Sequence, residues 1–163
     1  MNDFVLADSG IRQLHARFID AVWRKDAQAF AECFTRDGEW KIAGMHLRGR
    51  AEIAEAIGKL LGVCDRVFIL PSMPLLDVSG SEATGRVYCG EFAKMPDGNS
   101  ALALGIYYDR YAEEDGRWRF KHRHWSFQYR GPMDLTGTFA GVPDYGPFPV
   151  MPGPDEPTYV RKK

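Results

Sequence analysis

Cysteine is scarce in this chain. Three occur among 163 residues, Cys33, Cys64 and Cys89, an odd number with no short spacing between any two. That pattern excludes a disulfide framework and offers no paired-cysteine zinc motif. Histidine is nearly as rare, four in all, and dispersed cysteines and histidines make no recognisable ligand set, so no metal is expected. There is no excess of either charge. Lysine and arginine number 21 against 22 acidic residues, which gives nothing to draw nucleic acid or an anionic membrane surface. No stretch comes near the roughly 20 consecutive apolar residues that a membrane span needs. The opening MNDFVLADSG has neither the basic start nor the apolar run of a signal peptide, so a cytoplasmic location is expected. No internal repeat is visible.

What the chain has in quantity is aromatic side chains, 13% of residues, which need a large core, a subunit interface or an aromatic-lined pocket to cover them. Its length suits one core. The first third reads as helices. Asp8 or Ser9 can cap a helix in which Ile11, Leu14, Phe18 and Val22 recur at helical spacing. Asp26 caps a second, short helix, and Gly49 or Arg50 opens a third that buries Ile53, Ile57, Leu60 and Leu61 and ends at Gly62. GEWKIAG is a strand between them. The remainder alternates as strands divided by Pro71, VSGS, PDGNS and the tight EDGR hairpin. Helices followed by an antiparallel meander give an α+β fold, one curved antiparallel sheet with helices against its concave face. From Gly131 proline and glycine accumulate. We therefore divide the chain into a domain over 1–130 and a carboxy-terminal arm and tail over 131–163, the arm lying along a surface to about residue 150 and the tail disordered after about Asp155.

Two stretches carry a resemblance. In AFAECFTRDGEWKIAG…LRGRAEIAEAI a short helix leads to Phe34, Asp37 and Trp40 and then to Arg48-Gly49 before the third helix. In GIYYDRYAEEDGRWRFKHRHW, Gly105, Tyr107, Asp109 and Tyr111 precede a hairpin and Trp118. Over about residues 8–130 the chain resembles the nuclear transport factor 2-like superfamily in its SnoaL-like branch, which includes scytalone dehydratase and the lindane dehydrochlorinase. The resemblance implies a cone-shaped α+β barrel around an apolar pocket. It also implies a carboxylate or histidine base, tyrosine or histidine donors at a developing oxyanion, and no metal or cofactor. The branch's catalytic Asp and His fall here on Trp23 and Phe68, and the Tyr and Asp of the related ketosteroid isomerases fall on Phe18 and Ile42. Neither dyad is present.

The remaining polar groups suggest where chemistry could sit. In RWRFKHRHWSFQY, alternation puts Arg119, Lys121 and Arg123 on one face and Phe120, His122, His124 and Ser126 on the other. Three cations do not make a core face, so the histidines are expected on the concave, pocket side. There one could act as base and one as donor. Tyr108, in step with Leu104 and Ile106, is expected to point inward with them, and Tyr88 has a similar claim to polarise a substrate oxygen. His46 and Arg48 fall at an expected pocket mouth. Trp23 and Phe68 either fill the cavity or wall it for an aromatic substrate. The function expected is a cofactor-independent lyase or isomerase, a dehydratase or a retro-aldol, formaldehyde-eliminating enzyme, acting on a small aromatic or polyketide-like molecule. The alternative is a non-catalytic pocket or assembly protein, like the small subunits of ring-hydroxylating dioxygenases. Trp125, Phe127 and Tyr129, placed on the convex face, point to a homo-oligomer, trimer or dimer.

Overall fold

The computed structural model describes residues 3–140 and 146–152. Helix α1 (Asp3–Arg24) buries Ala7, Ile11, Leu14, Phe18 and Val22 along one stripe. Its outer face carries the i,i+4 pairs Asp8–Arg12 at 2.7 Å and Asp20–Arg24 at 2.9 Å. The helix begins at Asp3 rather than at a cap on Asp8 or Ser9, because Asp8 binds Arg12 instead of a backbone N–H and Ala7 continues the buried stripe. Asp26 does cap α2 (Ala27–Ala31), accepting from Ala29 N at 2.9 Å. Strands β1 (Phe34–Ile42) and β2 (Met45–Arg48) then form a hairpin, and α3 (Gly49–Gly62) buries Ile53, Ala54, Ile57 and Leu61. Gly49 sits at φ 75°, a turn into the helix that a Cβ would strain.

Five strands follow: β3 (Arg66–Pro71), β4 (Leu75–Ser79), β5 (Glu82–Lys94), β6 (Ser100–Glu114) and β7 (Arg117–Gly131). Asp115 and Gly116, both at positive φ, make the two-residue turn between β6 and β7. The order across the sheet is β2-β1-β7-β6-β5-β3, with β4 also on β5. The sheet is curved and open rather than a closed barrel. It is also mixed, since β1 runs parallel to β7 while every other pairing among the described strands is antiparallel. The core lies between the helices and the concave face, where Phe18, Phe30, Phe34, Trp40 and Phe120 meet ring to ring at 4.6–5.7 Å for the closer pairs. Among the described residues no helix is long and apolar enough to cross a membrane.

Strand β7 departs from plain alternation. Phe120 lies opposite Tyr111 but His122 lies opposite Arg110, so Lys121 is an extra residue and β7 is bulged there. The bulge resets which side chains face the helices. Phe120 points in, and beyond the bulge Arg123, Trp125 and Phe127 point in as well, while His122, His124 and Ser126 point to the convex side. Arg123 is 1% exposed, its guanidinium 3.7 Å from the Tyr107 ring centroid and 4.3 Å from that of Phe18. Three expectations are thereby corrected. The histidines are not on the concave face, Tyr108 points outward with His124 opposite it, and Trp125 and Phe127 are interior. A second register shift at Gly105 and Phe127 returns Tyr129 to the outer side, where its ring packs 4.8 Å from Phe139 of the arm.

The inward charges are neutralised by one another. Arg123 Nε is 3.1 Å from Asp109 Oδ1, both residues essentially inaccessible. Tyr111 donates to Asp109 Oδ2 at 3.0 Å, and its oxygen lies 2.9 Å from His15 Nε2. Burial and the nearby Arg123 hold His15 well below its usual pKa, so it is neutral and donates its Nε2 proton to the tyrosine oxygen. The arm lies on the convex side. Arg86, 8% exposed, donates to Gly146 O at 3.1 Å and to Val150 O at 2.9 Å. Val142, Tyr145 and the tail beyond 152 lie outside the described residues.

Candidate functional site

A cavity of about 240 Å³ opens between α1, α3 and the concave face. Its walls are apolar, with Phe18, Trp40, Leu61, Val67 and Phe127 among them, and its few polar groups are Glu91, Tyr107 and Arg130. Glu91 is placed by alternation along β5, where Val87, Cys89 and Ala93 share its inward face. The Tyr107 hydroxyl donates to Glu91 Oε1 at 3.4 Å, and the Arg123 guanidinium stacked on the Tyr107 ring holds that ring in place. Burial raises the Glu91 carboxyl from 4.5 to about 7, although Tyr107, Arg123 and Arg130 all pull it down. The same burial, with Glu91 beside it, keeps the Tyr107 phenol protonated well past its usual range. The cavity therefore presents a carboxyl group that ionises near neutrality beside a phenol that stays protonated and can donate, which is the equipment for moving a proton.

The residues singled out from sequence lie elsewhere. Tyr108, His122 and His124 do come together, in a second cavity on the convex face, shared with Glu39 and roofed by Met151 and Pro152. His46 is near them on the edge strand, paired with Glu39 and 3.2 Å from Arg48 Nη2, so these two residues are not at the mouth of the interior cavity. Trp23 and Phe68 stack on each other at 4.3 Å with Trp23 54% exposed; they neither fill nor line the interior cavity. Tyr88 points outward and is half exposed. Glu91 and Tyr107 are the residues the sequence reading passed over. The signal for Glu91 was present: a carboxylate standing in step with the buried positions Val87 and Cys89.

Helices cradled by a curved open sheet around an apolar cavity define the nuclear transport factor 2-like class of α+β domains. The chain belongs to the SnoaL-like domain family, whose model matches residues 4–124. No curated protein matches it by sequence. Among solved structures it is similar to a Mycobacterium tuberculosis protein of unknown function, at 28% identity over 77% of this chain and 74% of that one, TM-score 0.71. It is also similar in fold to a candidate scytalone dehydratase from Novosphingobium aromaticivorans, at 19% identity over 88% of this chain and all of that one, TM-score 0.76. A hexachlorocyclohexane dehydrochlorinase from Novosphingobium barchaimii is similar at 20% identity over 86% and 98%, TM-score 0.72.

Proposed function

We propose that this protein is a lyase or isomerase that needs no cofactor and moves a proton on a small aromatic or polyketide-like substrate held in the interior cavity. Glu91 is the base and Tyr107 the hydrogen-bond donor. The observation that carries this reading is the Glu91 carboxyl raised to about 7 on an apolar wall, within reach of a phenol that stays protonated. An apolar cavity of roughly 150 Å³ takes up benzene, so about 240 Å³ admits one substituted ring. The names of two structural neighbours, a dehydratase and a dehydrochlorinase, describe eliminations and suit the same equipment.

The electrons and protons balance without a further reagent. Glu91 takes a proton from carbon beside a carbonyl, and the freed pair forms a C=C bond. Charge builds on the carbonyl oxygen, which accepts from Tyr107. In a dehydration the adjacent hydroxyl then leaves as water with the proton that Glu91 took; in an isomerisation Glu91 returns that proton to another carbon. For a retro-aldol loss of formaldehyde Glu91 deprotonates the hydroxyl and the C–C bond breaks as the new C=O of formaldehyde forms. The pair from that C–C bond becomes the enolate held by Tyr107, and Glu91 returns the proton to the enolate carbon.

The test is exchange of carbon-bound hydrogen for deuterium in a panel of small aryl ketones, followed by NMR. Exchange should occur for at least one compound and fall by about 100-fold or more in Glu91→Gln. It should fall by about 100-fold in Tyr107→Phe, the scale for losing one oxyanion donor. Exchange indifferent to Glu91→Gln removes the proposed base. Binding without exchange of any kind makes this a pocket protein like the dioxygenase small subunits. We also propose self-association as a trimer or dimer. The basis is Leu70, Met73, Leu75 and Tyr88, exposed by 49–68% around β3 to β5. Light scattering that gives the mass of one 18.4 kDa chain at micromolar concentration refutes it.

A further inference from the structure

The convex-face cavity has no part in the reaction proposed above, and the sheet separates it from Glu91. It measures about 260 Å³ and is lined by Glu39, Tyr108, Arg110, Lys121, His122 and His124 beneath Met151 and Pro152. Its floor is His124, 1% exposed, and among the described residues neither ring nitrogen has a hydrogen-bond partner. Burial, with Lys41 and His122 nearby, lowers its pKa to about 4, so the ring is neutral and carries one N–H to donate. A donor left buried and unpaired costs stability, and that cost is recovered when an acceptor enters.

The charges around it say which acceptor. Lys41, buried beside His124 in the β1–β7 register, and Arg110 are cationic, Lys121 is paired with Glu82 at 2.7 Å, and Glu39, the one carboxylate on the lining among the described residues, is paired with His46. The Tyr108 ring stands edge-on to His124 at 6.2 Å, and the arm closes the top with apolar atoms. A cationic rim, one deep donor and an aromatic and apolar enclosure fit a small organic acid better than an inorganic anion.

We propose that this cavity is a second ligand site, taking a small ring-bearing carboxylate whose oxygen accepts from the His124 N–H while Arg110 on the rim offsets its charge. The site does not depend on the interior reaction, and its failure would leave that reaction untouched.

The experiment is a titration of the full chain with benzoate, followed through the His124 ring resonances by NMR, with neutral benzamide as the matched control. Benzoate should move the His124 signals saturably, and benzamide should bind at least about 10-fold more weakly. His124→Phe keeps a flat ring but no donor. It and Arg110→Gln, on the exposed rim, should each weaken benzoate by about 10-fold or more, read by calorimetry, while Glu91→Gln leaves it unchanged. Three results would overturn the site: His124 resonances unmoved by benzoate up to about 10 mM, benzamide binding as well as benzoate, or both variants binding like the parent.

Discussion

Replacing Glu91 with Gln should make the protein more stable above neutrality while removing its proposed base. The carboxyl rises from 4.5 to about 7 on folding, so at pH 8 the native chain bears an ionised group that its surroundings disfavour. A shift of about 2.5 units corresponds to about 3 kcal/mol. Gln lacks the charge but leaves part of its amide unpaired on an apolar wall, which returns about 1 kcal/mol. The net gain at pH 8 is about 2 kcal/mol, or about 4–8 °C in Tm for a chain of this size. The sign with pH follows from proton binding. A folded value above the unfolded one means the native state holds more protons between about pH 4.5 and 7, so wild-type stability falls as pH rises through that window. Asp109, raised from 3.8 to about 6, adds a loss of the same sign at lower pH, but it is present in both proteins and cancels in their difference. Urea unfolding of both chains at pH 5, 6, 7 and 8 should give a difference that opens from near zero to about 2 kcal/mol. A difference flat across that range would mean that Glu91 is not held against its ionisation, and the case for it as a base would go with it.

Three further outcomes are expected. Asp109→Asn should cost about 3–5 kcal/mol by leaving the Arg123 cation buried without its counter-charge; in urea unfolding the pair of changes Asp109→Leu and Arg123→Met should recover much of that loss. Gly105→Ala should destabilise by about 3 kcal/mol in the same assay, because a Cβ there would stand 2.5 Å from the Trp125 ring and 2.6 Å from Ser126 O. Arg86→Ala should release the arm from its grip on the Gly146 and Val150 carbonyls, and limited proteolysis should then cut near residues 146–152 at least about 10-fold faster.

Much of the architecture could be read from residue periodicity and turn chemistry. The buried stripes of α1 and α3, the Asp26 cap and the Asp115–Gly116 turn all follow from local rules that hold whatever the rest of the chain does. The parallel pairing of β1 with β7 was not readable, because it joins segments some 80 positions apart and leaves no mark in either. The site was misread for a physical reason. Alternation counts residues, and one extra residue at Lys121 inverts the count for everything after it. The rule that cations do not face a core then pointed the wrong way, since Asp109 on the neighbouring strand cancels Arg123. Read on β5, where alternation is unbroken, the same reasoning would have put Glu91 inside.

The Asp109–Arg123 pair also bears on how the β6–β7 hairpin finds its alignment. Its sequence admits two zippings, one with the bulge and one without. The unbulged form would turn His122, His124 and Ser126 inward and carry Arg123 out to solvent. Asp109 lies on β6, opposite Arg123 in the register the protein adopts, and it would remain inside with no cation to meet it. A misaligned hairpin thus incurs the penalty of a stranded carboxylate, while the correct one does not. The pair acts as a proofreading mark, rejecting a slip of one residue that hydrophobic burial alone would judge only weakly.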